Sequence, residues 1–144
     1  MADMFLEKFR SLVPKYLEDK WNEADGLNAE ELAEGLAQSG VSIPFVLEEF
    51  YLAVGNNEDF TEAYHFFFDP EELEIDGEYL LFLEDEEEKY VWGFKTSQLS
   101  VPDPIVYRRN NSKGTWTSEE GTFSEFTFDM FSWVFEELAA ELDD

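Results

Sequence analysis

The spacing of apolar residues changes twice along this chain, and that change constrains the fold more than any single motif. From 3 to 54 apolar residues recur every three or four positions, which is typical of helices buried on one face. Between 62 and 118 short aromatic-rich runs separated by turn formers replace this pattern, as in antiparallel strands. A helical period returns after Thr122. The sequence therefore predicts one α+β domain over 1–144, with a sheet flanked by N-terminal helices and a C-terminal helix.

The first two predicted helices are bounded by recognisable end signals. The first covers 3–22 and contains Pro14, so we expect a kink or two short helices. The second begins at Asn28, which forms a capping-box pattern with Glu31, and ends at Gly40.

A third helix follows Pro44 and ends at Gly55. Its predicted buried face consists of Val46, Leu47, Phe50, Tyr51 and Val54. Thr122 and Glu125 form another capping-box pattern before the last helix. The aromatic residues of that helix point in too many directions for one buried stripe, so we expect part of them to cover a dimer or a partner. They are Phe128, Phe131, Trp133 and Phe135.

The central region predicts an antiparallel sheet of four to five strands. The strands 79–83 and 90–94 form a hairpin whose connection is a run of five acids, Glu84 to Glu88. A second hairpin turn is predicted at 110–114, "NNSKG". A turn that extends into water explains how adjacent carboxylates remain ionised, but it does not explain their purpose.

The charge of the chain is strongly segregated. The net charge is −26, the nine lysines and arginines fall within 8–20 or 89–113, and 21–88 holds 21 acids and no base. Such a field repels nucleic acid and anionic membrane and accelerates encounter with a basic protein. We expect an acidic docking face without nucleic-acid or membrane partners, although solubility alone is the other explanation of the charge.

Composition indicates where such a chain functions. There is no cysteine, the segment "MADMFLEKFRSL" lacks the long apolar run of a signal peptide, and no stretch approaches the ~20 apolar residues of a membrane span. We predict a cytoplasmic protein that is a monomer or a weak homodimer.

Few residues suggest catalysis. His65 is the only histidine, and its position among aromatic residues favours a packed or half-exposed side chain over a metal ligand. The sequence also lacks a nucleophile elbow and a glycine-rich phosphate loop. We therefore predict no catalytic residue, no metal and no cofactor. An enzyme that uses two carboxylates remains an alternative because acids are abundant.

One segment is a near match to a calcium-binding loop. Glu72, Glu74, Asp76 and Gly77 fit its first positions, but Leu83 stands where the closing glutamate belongs. A polar turn before a strand is the simpler interpretation.

Several motifs, taken in order, resemble the SUKH superfamily over about 27–142. They are "IPFVLEEFYLAVGNN" (43–57), "FDPEEL" (68–73), a strand that ends in Glu84, the pair Trp92-Gly93, "DPIVY" (103–107), Trp116, and a terminal Phe-rich helix. The sequence departs from the family in its hairpin, where Asp85 and Glu86 replace the common Asn and Gln.

The resemblance implies a twisted antiparallel sheet flanked by helices. It also implies an immunity protein, which binds and neutralises one cognate toxin of a polymorphic toxin system. A basic nuclease is the natural target, because its substrate groove is cationic. The acids expected to contact the toxin are Glu71, Glu72, Glu74, Asp76, Asp85, Glu86, Glu87 and Glu88. A general protein-interaction adaptor is the alternative, and a carboxylate-dependent enzyme is the third interpretation.

Overall fold

The computed structural model describes residues 5–17, 19–62 and 65–138. Three parts of the predictions lie outside the described residues: the helix start at 3, positions 63 and 64 of the strand-rich region 62–118, and 139–142 of the SUKH-like region. The helices are α1 (Leu6–Arg10), α2 (Leu12–Tyr16), α3 (Ala29–Ser39), α4 (Phe45–Val54), α5 (Glu58–Thr61) and α6 (Phe123–Ser132). The strands are β1 (Phe66–Phe67), β2 (Glu74–Asp76), β3 (Tyr79–Glu84), β4 (Tyr90–Lys95), β5 (Ile105–Asn110) and β6 (Thr115–Thr122). The predicted α+β class is confirmed.

Shorter helical segments connect these elements. They are 3₁₀ turns at Glu23–Asp25, Pro70–Glu72 and Thr96–Gln98, and a π-helical segment, Trp133–Leu138, that continues α6. In the described part of the chain, no helix combines the length and apolarity needed to cross a membrane.

The N-terminal region forms two short helices, which was one of the two structures predicted for it. The break lies at Ser11 rather than at Pro14, which is the third residue of α2. Pro14 is tolerated there because the first-turn N–H groups of a helix have no intrahelical acceptor. The predicted extension to Asn22 is wrong, because helix α2 ends at Tyr16 and Asn22 instead caps the 3₁₀ turn Glu23–Asp25.

The predicted ends of the next two helices are confirmed. Asn28 and Glu31 cap each other reciprocally, with N–O distances of 2.8 and 3.2 Å. Gly40 ends α3 with a left-handed φ of 71°, which costs glycine no steric strain. Pro44 immediately precedes α4 and Gly55 follows it. All five residues predicted for its inner face are buried.

Among the described residues the sheet has six antiparallel strands, whereas the sequence predicted four to five. Its main order is β1-β3-β4-β5-β6, and β2 also pairs with β3. The additional strand, β2, has only three residues, all of them exposed, so the sequence offers no long apolar run that would predict it. Both predicted hairpins are present, with Glu84 opposite Val91 in the first and Asn110 opposite Thr115 in the second.

The core is a cluster of phenylalanine rings between the sheet and a layer formed by α1, α4 and α6. The ring of Phe50 in α4 lies within 4.6–6.5 Å, centroid to centroid, of Phe9, Phe67, Phe123 and Phe131. All five are buried. Truncating such a ring costs about 3–5 kcal/mol, so this cluster fixes the helices against the sheet.

Candidate functional site

A polar groove of about 400 Å³ lies where α5, β1, the 3₁₀ turn at Pro70–Glu72, β2 and the end of β3 meet. We call it the acidic groove. It is lined by Thr61, Glu62, Phe66, Phe67, Phe68, Asp69, Glu72, Glu74 and Glu84. Five of these residues carry carboxylates, and three carry phenyl rings.

Strand alternation explains why aromatic and acidic side chains share this groove. Phe66 pairs with Glu84, so both side chains face away from the helices, whereas Phe67 enters the core. Phe66 is 38% exposed, which makes it one of the few large apolar side chains that remain open to solvent in the described residues. The groove therefore offers an apolar contact beside negative charge.

The buried phenol of Tyr51 holds the backbone of the groove in place at Phe68. Its hydroxyl donates a hydrogen bond to the backbone oxygen of Phe68 over 2.6 Å. Burial is the main cause that raises the pKa of Tyr51 well above 10.0, and the charges of Asp69, Glu71 and Glu72 add to it. The group therefore remains a neutral donor that holds the backbone just after β1 against α4.

Asp69 lies at the centre of the acidic residues. The residue is exposed, but partial burial of its carboxyl raises its pKa above 3.8, and the charges of Glu72, Glu71 and Glu62 raise it further. Its backbone N–H donates to Glu72 Oε1 over 3.1 Å, which keeps the two acids close together. The carboxylates of Asp69 and Glu72 therefore repel each other, and no cationic side chain among the described residues pairs with either of them.

Glu84 links the groove to the hairpin turn. Burial raises its pKa above 4.5, and the charges of Glu88, Glu72 and Glu74 raise it further. Since Glu88 belongs to the turn and Glu72 and Glu74 belong to the groove, the two regions form one electrostatic surface.

Within the described residues, the groove acids, like most acids of this chain, have no cationic partner, in contrast to several acids near the basic strands. In the part of the chain that the structure describes, none of the five groove carboxylates takes part in an ion pair. Elsewhere Asp76 pairs with Arg109, Glu87 lies 2.7 Å from Lys89, and Glu119 lies 3.7 Å from Arg108. The basic residues thus neutralise acids around β4 to β6 and leave the groove uncompensated.

The eight acids predicted to contact a partner occupy different environments. Glu72 and Glu74 line the acidic groove. Glu71 lines a neighbouring polar groove that also contains Asp69 and residues of α3. Asp76 is already paired with Arg109, as stated above.

The turn acids also differ among themselves. Glu86 and Glu88 are exposed, whereas the side chain of Asp85 is only 13% exposed and lies 3.4 Å from His65 Nδ1. Asp85 also accepts the backbone N–H of Lys89 over 3.3 Å. Asp85 therefore serves as a structural residue at the base of the turn, and the acids of the turn are not equally exposed to solvent.

His65 is largely covered, in agreement with the packed or half-exposed position predicted from its aromatic neighbours. Its ring centroid lies 4.6 Å from that of Trp92. Burial lowers the pKa of His65 below 6.5, although the charges of Asp85 and Glu86 oppose this change. Among the described residues, no group of three or more His, Asp and Glu side chains is arranged to hold a metal ion. The segment that resembles a calcium loop forms β2 and a turn, with Gly77 at φ 62°.

Three groove acids, Glu62, Asp69 and Glu84, were not among the eight acids predicted to contact a partner. Glu62 precedes a strand by only a few positions and follows a short helix, so no periodicity marks its direction. Asp69 stands in "FDPEEL", where Pro70 begins a 3₁₀ turn. That turn signal could have identified Asp69 as a neighbour of Glu72.

Comparison with known proteins gives no relative. No family model matches the sequence, and no curated protein or solved structure matches the chain. The geometry of the acidic groove is therefore the main guide to function.

Proposed function

We propose that this chain is an immunity-type protein that binds and neutralises a basic, nuclease-type toxin in the cytoplasm of the producing cell. The observation that carries this proposal is the acidic groove, whose five carboxylates lack an ion pair within the described residues. Two of them, Asp69 and Glu84, have raised pKa values because their charges are partly buried near other acids. A cationic partner relieves that repulsion when it binds. The SUKH-like order of motifs supports the same function.

The charge and the aromatic side chains of the acidic groove support the proposal that it blocks a nuclease. A nuclease binds phosphates through cationic side chains, and carboxylates placed in its substrate groove occupy the same positions as phosphate oxygens. The summed field of the acids accelerates encounter, while apolar contacts govern the dissociation rate. Phe66 and Phe68 supply such contacts within the acidic groove. The exposed turn acids Glu86 and Glu88 extend the field beyond it.

The first test identifies the partner in the organism that produces the protein. The full chain is used as bait at low and at moderate salt, and each captured protein is then expressed alone. We expect one basic protein that survives moderate salt, arrests growth on its own and is rescued by co-expression of this chain. A diffuse set of proteins that dissociates at moderate salt would contradict neutralisation and favour the adaptor alternative.

The second test measures which acids drive association with that partner. Glu62→Lys combined with Glu74→Lys changes the groove, and neither side chain makes a hydrogen bond or ion pair with another described residue. We expect association to slow by roughly tenfold or more and its dependence on salt to flatten. The matched control, Glu23→Lys with Glu48→Lys, makes the same charge change at exposed positions outside the groove. Equal effects in both variants would show that only net charge matters.

A third variant tests the hairpin turn separately. Reversing the charge of Glu86, Glu87 and Glu88 should also slow association, because Glu88 and the groove acids form one field. Unchanged kinetics in this variant would exclude the turn from the interface and leave the groove as the contact surface.

A further inference from the structure

A second groove, separate from the acidic groove, lies between α6 and the end of β6. We call it the α6 groove. It has a volume of about 400 Å³ and is lined by Glu119, Glu120, Gly121, Glu125, Phe126, Asp129, Met130 and Trp133. Unlike the acidic groove, it combines a continuous apolar floor with a rim of acids.

The floor is a stripe along one side of α6. Phe126, Met130 and Trp133 are spaced by four and three positions, which places their side chains above one another on a helix. Phe126 and Met130 are half-buried, and Trp133 is 40% exposed. Phe123, Thr127 and Phe131 form the buried side of the same helix. The helix is therefore apolar on two sides, and only one of them is fully covered by the core.

The rim acids surround this stripe. The rim acids that have no ion pair among the described residues are Glu125 and Asp129 of α6 and Glu120 of β6, whereas Glu119 pairs with Arg108. An apolar stripe with carboxylates on both sides complements an amphipathic helix that carries basic residues beside its apolar face.

The local backbone argues against a strand as the occupant. The pairing of β5 with β6 shifts register between Ile105 and Tyr107, and Glu120 adopts a positive φ of 60° in this irregular stretch. Such a bulge interrupts the regular row of backbone donors and acceptors at a sheet edge and disfavours the addition of another strand there.

We propose that the α6 groove binds a basic amphipathic helix of a partner protein, with apolar side chains against Trp133 and Met130 and lysine or arginine opposite the rim acids. A second copy of this chain is disfavoured as the occupant, because each copy carries a net charge of −26. The proposal does not depend on the acidic groove, since the two grooves share no lining residue.

The test uses a synthetic peptide of leucine and lysine, about 18 residues long so that it can form a helix, with leucine spaced as an amphipathic stripe. A peptide of the same composition in scrambled order controls for charge. Binding is measured by fluorescence anisotropy at about 0.15 M salt, where long-range attraction is screened. We expect the amphipathic peptide to bind roughly tenfold or more tightly than the scrambled one.

Variants of the full chain locate the binding surface. Trp133→Ser and Met130→Gln should each weaken binding of the amphipathic peptide, the former by roughly tenfold or more. The control Val101→Ser removes an apolar side chain of similar exposure, 42%, that lines neither groove and should leave binding unchanged. Circular dichroism verifies that each variant is folded, and Met130→Gln decides the outcome if Trp133→Ser is not.

Three results would overturn the proposal. The first is equal binding of the amphipathic and scrambled peptides, which would mean that charge alone attracts them. The second is unchanged binding in the folded Trp133 and Met130 variants. The third is a dimer in sedimentation experiments that Trp133→Ser dissociates, which would identify a second copy as the occupant.

Discussion

The indole of Trp116 in β6 stacks on the phenol ring of Tyr79 in β3, with ring centroids 3.8 Å apart, although β4 and β5 lie between these strands. Tyr107 of β5 also contacts Tyr79, at 5.7 Å. Gly93 of β4 pairs with Tyr107 and thus lies beneath this cluster. Because glycine has no side chain, the rings can meet across the outer face of the sheet.

Gly93→Ala should destabilise the fold by about 1–3 kcal/mol. A Cβ at this position would lie 2.6 Å from the backbone oxygen of Leu80, and a carbonyl oxygen within a sheet cannot move aside without disrupting its pairing. Urea unfolding measures the change. Gly121→Ala is the control, because its Cβ would meet nothing closer than Glu125 Cβ at 3.7 Å. We expect the control to stay within about 0.5 kcal/mol of the parent chain, and similar losses in both variants would contradict this explanation.

Glu88→Gly should stabilise the chain by about 0.5–1 kcal/mol. Glu88 has a φ of 59°, and the left-handed conformation costs a residue with a side chain about 1–2 kcal/mol, part of which the greater unfolded-state entropy of glycine offsets. Removing its charge also reduces the repulsion on Glu84. Glu86→Gly, in the same turn but without a positive φ, should show no gain in thermal unfolding. A gain of the same size in both variants would assign the effect to charge alone.

Glu49 should tolerate glutamine but not alanine. Glu49 is 2% exposed, and its carboxylate accepts the backbone N–H of Phe5 over 2.8 Å. The amide oxygen of glutamine can accept the same bond, whereas alanine leaves the buried N–H unpaired at a cost of about 1–3 kcal/mol, in addition to the lost packing. Hydrogen exchange of the Phe5 amide provides a local measurement. It should accelerate in Glu49→Ala and remain slow in Glu49→Gln, and acceleration in both would show that the negative charge is required.

Asp69→Asn should raise the free energy of unfolding at neutral pH. The pKa of Asp69 is higher in the folded chain than its ordinary value of 3.8, which applies to the unfolded chain. At a pH between 3.8 and this raised pKa, the folded chain therefore binds more protons than the unfolded chain. Stability therefore rises as the pH falls through this interval, and ionised Asp69 is unfavourable above it. The gain from asparagine should shrink as the pH falls towards 3.8, as measured by urea unfolding at a series of pH values. A gain that does not depend on pH would contradict the electrostatic cause.

Glu125→Gln should lower the free energy of unfolding at neutral pH, in contrast to Asp69→Asn. The backbone N–H and the hydroxyl of Thr122 donate to Glu125 and lower its pKa below 4.5. The ionised carboxylate therefore stabilises the fold above pH 4.5, and this contribution is lost as the pH falls through the lowered pKa. The variant should be less stable than the parent chain at neutral pH and similar to it in acid. Equal stability at neutral pH would show that the charge adds nothing to the cap.

Helix ends were predictable because capping is local. Asn28 and Glu31, or Thr122 and Glu125, are three residues apart, and their hydrogen bonds depend on no distant part of the chain. The break at Ser11 and the strand β2 were not predictable in the same way. Each depends on how the segment packs against the rest of the molecule, which local propensity does not determine.

The candidate site was likewise predictable from the sequence only in part. The segregation of charge and the exposed aromatic residue of the last helix can be inferred from composition and spacing alone. Which acids share a groove depends instead on the sheet, because pairing of Phe66 with Glu84 brings together residues that are distant in sequence. Arg109 likewise neutralises Asp76 across the sheet and leaves Glu72 and Glu74 uncompensated. The sequence by itself determined the ends of α3 and α4, the start of α6, the hairpins and the sign of the field, since these follow from neighbouring residues or from a sum over all charges. Only the tertiary structure decided where that field is concentrated, because the interaction between two charges depends on their separation and on their access to water.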